Sequence, residues 1–124
     1  MNLSVLIPVY NVERTLEEVV RRVRSIELPK EIILVDDGSK GRSREILTQL
    51  QQQSERAPDP LNEIRVFLQP NNQGKGAAIK VALDHARGDV IIIQDAALEY
   101  DPHDYPALLE PIERGLADVV YGTR

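Results

Sequence analysis

Ile32-Ile33-Leu34-Val35-Asp36-Asp37-Gly38-Ser39 decides the fold. An unbroken apolar run without alternation reads as a strand buried on both faces, which is the habit of parallel sheets covered by helices. The run stops in two carboxylates, a glycine and a serine, residues that suit a turn. Working outward, short apolar runs rich in Ile and Val, most of them continuous, recur at Leu3–Ile7, Ile64–Leu68, Val90–Ile93 and Val119–Tyr121. Between these runs lie segments of helical period. Leu16, Val19, Val20 and Val23 fall on one stripe, and Thr15 followed by Glu18 predicts a capping box at its start. Glu17–Arg21 and Glu18–Arg22 are spaced to pair on the wet face. A second helix is expected over Ser43–Glu55 with Ile46, Leu47 and Leu50 inward. A third is expected over Gly76–Ala86, small and apolar along the stripe of Ala78, Val81, Ala82 and His85, and a shorter fourth around Tyr105–Arg114. Alternating strands and helices predict an α/β sheet with right-handed crossovers.

Composition narrows the functional classes. The chain has 124 residues with a net charge of −5, so no global basic field favours nucleic acid. It has no cysteine, which excludes disulfides and thiolate metal sites. The apolar runs are far too short for a membrane span, and the first residues read as a strand rather than a signal peptide. A soluble cytoplasmic domain is the expectation.

The polar residues gather where chemistry is expected. In open α/β sheets ligands bind outside the carboxyl ends of the strands. Pro8-Val9-Tyr10-Asn11 follows the first strand, Asp36-Asp37-Gly38-Ser39 the second, and Asn71-Asn72-Gln73-Gly74-Lys75-Gly76 the third. Gln94-Asp95-Ala96-Ala97-Leu98-Glu99 follows the fourth. Each has a bland reading. Asn11 could cap the first helix. The Asp36–Asp37 pair could form a turn, yet adjacent carboxylates repel, and one of them could accept hydrogen bonds from a nucleobase or ribose. Gly74-Lys75-Gly76 is neither a P-loop nor a dinucleotide fingerprint, but it could open a helix toward an anion. His85 and His103 lie far apart in sequence and read as surface or packing residues.

Taken together, Val5–Asn11, Ile33–Ser39, Asn72–Ala78, Gln94–Pro102 and Ala117–Arg124 resemble the family-2 glycosyltransferases in order and spacing. The similarity is greatest to the dolichyl- or polyprenyl-phosphate mannosyl- and glucosyltransferase branch. It implies a GT-A, Rossmann-like, mainly parallel sheet sandwiched by helices. Residues 1–124 would be the nucleotide-sugar-binding half of a truncated domain. Pro8, Tyr10, Asn11, Asp36, Asp37 and Lys75 would serve the nucleotide. Asp95 would begin the DxD-type motif beside the diphosphate, with Glu99 a further metal contact, and Arg124 would approach the acceptor phosphate. The implied reaction moves a hexose from GDP-mannose or UDP-glucose to a polyprenyl or dolichyl phosphate at the cytoplasmic face of a membrane. Apolar surface left uncovered by the missing part would favour a homodimer.

The sequence departs from the family at Ala97, where a second acid is the rule. Mg²⁺ and Mn²⁺ need oxygen ligands, and a methyl group supplies none, so metal binding is expected to be weakened. Lys40-Gly41-Arg42 stands in place of an acidic-glycine turn, and Val12 in place of the branch's usual Glu. The alternatives are a non-catalytic glycosyltransferase-like binding or assembly domain and a sugar-nucleotidyltransferase. The latter would want a glycine-rich basic loop after the first strand, where Pro8-Val9-Tyr10-Asn11-Val12 has no glycine. A flavodoxin-like signalling domain shares the alternation but leaves Gly74–Gly76 and residues 94–102 unexplained.

Overall fold

Seven residues of unbroken strand, Leu3–Val9 (β1), form the centre of a parallel sheet. A computed structural model describes residues 2–94, residue 96 and the backbone of residues 119–122. In chain order the remaining elements are α1 (Leu16–Arg24), β2 (Lys30–Asp37), α2 (Ser43–Arg56), β3 (Asn62–Gln69), α3 (Lys75–His85), β4 (Val90–Gln94) and β5 (Val119–Gly122). The strand order is β3-β2-β1-β4-β5, with every pairing parallel. The segment expected as a helix around Tyr105–Arg114 lies outside the described residues, as does His103.

Side-chain alternation along each strand divides the core in two. Leu3, Val5, Ile7 and Val9 point with Ile32 and Leu34 toward α1 and α2, where Leu16, Val19, Val20, Val23, Ile46 and Leu47 meet them. Leu6, Ile33, Val35 and Ile93 point to the other face, against Ala78 and Ala82 of α3. Burying each large aliphatic side chain is worth about 1.5–3 kcal/mol. The small residues of α3 let that helix lie close on the sheet. The chain steps outward from β1 to β2 to β3 beneath α1 and α2, then crosses back over the opposite face through α3 to β4. The direction of winding therefore reverses between β1 and β4, the switch point at which open α/β sheets hold ligands.

Several local expectations are corrected. β2 extends through Asp36 and Asp37, so both carboxylates belong to the strand rather than to the turn after it. β3 is the edge strand and is only half-buried, with Leu68 47% exposed. Gln51 of α2 caps that edge by accepting the Val66 N–H through its Oε1 at 2.9 Å. Leu50 and Val81 do pack against the core from half-buried positions, whereas His85 is exposed and stacks on Phe67 with ring centroids 4.0 Å apart. The capping box does not form. Thr15 already has helical backbone angles (φ −112°, ψ −13°), whereas a capping side chain works from an extended backbone. Glu18 turns instead to Arg21 and Arg22, at 2.6 and 2.8 Å, which leaves no Glu17–Arg21 pair. No helix among the described residues is long and apolar enough to cross a membrane.

Candidate functional site

The two carboxylates at the end of β2 point to different tasks, which removes the conflict of adjacent like charges. Asp36 is fully buried. Its Oδ2 accepts the Gly38 and Ser39 N–H groups at 3.1 Å each and Nε of Arg44 at 2.7 Å. Arg44 also donates to the Gln69 carbonyl, tying β3 to the start of α2. Asp36 thus builds the turn behind the site.

Asp37, 3% exposed, faces the β3–α3 connection. Its Oδ1 accepts the Gln73 N–H at 2.8 Å, while Oδ2 accepts Gly74 N–H at 2.9 Å and Asn72 Nδ2 at 3.2 Å. The connection folds over Gly38, whose φ of +73° suits glycine. A Cβ there would stand 2.4 Å from the Asn72 nitrogen, so glycine is required by space as well as by backbone angle.

The β1–α1 connection is laced to the β2–α2 connection. Asn11, at φ +51°, donates its N–H to Ser39 Oγ at 3.0 Å and accepts the Lys40 N–H through Oδ1 at 2.8 Å. Glu13 Oε2 accepts the Arg42 N–H at 3.0 Å. Asn11 therefore joins two loops and does not cap α1. On the other side, Thr15 Oγ1 donates to the Ala96 carbonyl at 2.5 Å.

These contacts frame a cleft of about 210 Å³ lined by Pro8, Val9, Tyr10, Val12, Asp37, Asn72, Gly74, Lys75 and Ala96. It opens at the carboxyl ends of β1, β2 and β4 and at the first turn of α3, across the switch point. Tyr10 is 46% exposed and offers its ring to the opening. Of the residues singled out for the nucleotide, Pro8, Tyr10, Asp37 and Lys75 line the cleft, while Asn11 and Asp36 stand behind it and shape its loops. Asp95, Ala97, Glu99 and Arg124 lie outside the described residues. A larger groove, about 660 Å³, runs between α1 and α2 and collects none of the strand-end residues.

Among the described residues no group of three or more His, Asp or Glu side chains is placed to hold a metal ion. The donor set at the end of β4 is also chemically short. Ala97 offers no side-chain oxygen, and the Ala96 carbonyl already receives the Thr15 hydroxyl. Among the described residues, therefore, no oxygen cage for a hard divalent cation is assembled, and Asp95 and Glu99 lie outside them.

The family model described as glycosyl transferase family 2 matches residues 4–124. The chain belongs to this family. It is 44% identical over 123 residues to an undecaprenyl-phosphate 4-deoxy-4-formamido-L-arabinose transferase of Pectobacterium atrosepticum, covering 96% of this chain and 36% of the relative. This family-2 chain thus spans about a third of the length of the curated relatives it matches. Among solved structures, S. aureus TarS in complex with UDP superimposes with a TM-score of 0.70 at 23% identity, covering 89% of this chain and 32% of that one. The mannosyltransferase PcManGT of Pyrobaculum calidifontis, in complex with GDP-Man and Mn²⁺, gives 0.66 at 26% identity, over 77% and 27% of the respective chains. The fold of the family-2 chain is that of the GT-A glycosyltransferases.

Thr15, Arg44 and Asn72 carry the cleft's framework without having been singled out as such from the sequence. Asn72 was visible only as part of a motif. Arg44 sits eight residues after Asp36 on an otherwise polar helix face, so periodicity alone marks it as solvated.

Proposed function

We propose that this chain is the donor-binding half of a family-2 glycosyltransferase that moves a sugar from a nucleoside diphosphate to a polyprenyl phosphate. The observation that carries the reading is the convergence of Pro8, Tyr10, Asp37 and Lys75 on one cleft at the switch point. Tyr10 and Pro8 present flat apolar surface for a base. The free lone pair of Asp37 Oδ1 can accept from the base or ribose. Lys75 and the first turn of α3 offer positive potential to the diphosphate. The names of the relatives support the polyprenyl phosphate acceptor. They carry a modified arabinose, so the donor sugar extends beyond the hexoses of GDP-mannose and UDP-glucose.

The transfer needs little acid–base help. A phosphate oxygen of the acceptor attacks the anomeric carbon; the new C–O bond forms as the bond to the nucleoside diphosphate breaks and that anion leaves. The nucleophile is already ionised at neutral pH, so no strong general base is required. Asp95 would face the diphosphate and Arg124 the acceptor phosphate, with Glu99 as a further acid near the leaving group. No step is assigned to a metal here, because the donor set lacks an oxygen at position 97.

The test is isothermal calorimetry with UDP, GDP, UDP-glucose and GDP-mannose, each with and without Mn²⁺. Binding of at least one nucleotide diphosphate is expected, with little response to Mn²⁺; silence from all four would refute the reading. Ala97→Asp should restore an oxygen ligand and make affinity rise with Mn²⁺. Such a charge-stabilising contact is worth up to about 3–4 kcal/mol in the transition state. The same data bear on a second reading, favoured by Ala97: a domain that binds nucleotide without turnover. Binding without transfer or donor hydrolysis would decide for it.

Gly76 gives a further check. It lies in the first turn of α3, and a Cβ there would meet nothing within 4 Å. The fold therefore has no steric need for glycine, and Gly76→Ala should raise stability by about 0.5–1 kcal/mol in urea denaturation. If the space belongs to the diphosphate, UDP or GDP affinity falls in the same variant.

A further inference from the structure

Thr15 occupies the position before α1, yet its hydroxyl leaves that helix without a side-chain cap. It reaches across 81 residues of sequence to donate to the Ala96 carbonyl at 2.5 Å, in a partly buried setting. Ala96 is held a second time, since it is 2% exposed and belongs to the apolar core beneath α1. The backbone on the Thr15 side is equally fixed. The Val12 carbonyl accepts the N–H groups of Thr15 at 3.1 Å and of Leu16 at 3.0 Å. Val12 and Ala96 both line the cleft. One hydroxyl thus joins the wall that follows β1 to the wall that follows β4, across the switch point.

We infer that Thr15 is a positioning residue: its hydroxyl sets where Ala96, the chain neighbour of Asp95, stands in the wall of the nucleotide cleft. The inference rests on the nucleotide-diphosphate reading of that cleft. Thr15 touches no substrate in this scheme. It acts through the Ala96 carbonyl on the adjoining Asp95, the residue assigned to the diphosphate. An isosteric variant that keeps the methyl group and removes the hydroxyl should leave the base-binding end intact and loosen the diphosphate end.

Thr15→Val and Thr15→Ser in the full chain provide the test, with two readouts. Without ligand, amide hydrogen exchange across residues 94–98 should quicken several-fold in Thr15→Val and return to the parent rate in Thr15→Ser. In calorimetry, Thr15→Val should weaken UDP or GDP by about tenfold, in keeping with a lost partly buried hydrogen bond. Uridine and guanosine should change less than twofold, and Thr15→Ser should recover the diphosphate affinity. Unchanged exchange in Thr15→Val overturns the inference, as does an equal loss for nucleoside and diphosphate, or a serine variant as weak as valine. If the parent chain binds none of the four probes, the nucleotide reading falls, and the exchange experiment alone decides whether the hydroxyl holds the segment.

Discussion

Asp37→Asn is expected to lower affinity for UDP or GDP by thirtyfold or more, on the order of 2 kcal/mol, the cost of leaving one buried donor unpaired. The substitution changes almost no volume. The three bonds that the Asp37 carboxylate accepts all come from N–H donors: Gln73 and Gly74 backbone groups and the Asn72 side chain. An asparagine must place its own NH₂ group at one of the two oxygen positions. Facing Gln73, it opposes one backbone donor; facing Gly74, it opposes another. Either orientation leaves a backbone N–H without an acceptor, and the bonds that remain lose the strength conferred by charge.

The affected unit is the connection carrying Asn72, Gly74 and Lys75, which is one wall of the cleft. It can open locally while the sheet stays folded, so the loss is expected mainly in binding, with only a small fall in the urea midpoint. Calorimetry and urea denaturation on the same preparation separate the two. Nucleotide affinity within twofold of the parent chain would show that the loop holds its place without the carboxylate.

This role for Asp37 was only half legible in the sequence. Two acids ending a buried strand announced a polar task there, and the alternation of residues on β2 sends them to different places. Which of the two meets a ligand and which serves the turn depends on partners over thirty residues away, the loop at Gln73 and Gly74. Apolar runs behave differently, because burial on both faces is written into consecutive residues. β1, β2 and β4 were therefore readable one at a time, as was the helix stripe of Leu16, Val19, Val20 and Val23. Edge strand β3 was readable as a strand but not as an edge. Thr15 was misread for a related reason: Thr-x-x-Glu is a local pattern, and the acceptor that captured the hydroxyl is a carbonyl at the far end of β4. Local rules yield where a distant partner offers a better bond.

The other large effect is expected away from the cleft, at Glu31, near the amino ends of the strands. Its side chain is 8% exposed and gathers four donors. Ser4 Oγ and the Arg87 N–H reach Oε2 at 2.6 Å each, and Arg65 and Arg87 reach Oε1 at 3.0 and 3.4 Å. Ser4 Oγ in turn accepts the Gly88 N–H at 2.9 Å, so one carboxylate fastens β1, β2, β3 and the approach to β4. Glu31→Leu keeps the bulk and strands these donors. Breaking a buried ion pair costs about 3–5 kcal/mol, and the 60% exposure of Arg87 argues for the lower end, about 3 kcal/mol. Nucleotide affinity should not change, because the cleft lies at the other end of the sheet.

Acid provides an independent check on Glu31. Burial alone would push its carboxyl up, but the Arg87 N–H, the Ser4 hydroxyl and the Arg65 hydrogen bond and charge outweigh it and hold it below the ordinary 4.5. A carboxyl whose folded pKa lies below its unfolded value stabilises the fold above that unfolded value, and the contribution is lost as pH falls through the folded one. The stability gap between the parent chain and Glu31→Leu should therefore be full at pH 7 and shrink as pH drops below about 4.5. Urea midpoints for both proteins at pH 7, 5 and 3 measure this convergence. A gap that stays constant from pH 7 to pH 3 would assign the cost of Glu31→Leu to altered packing rather than to the charged network.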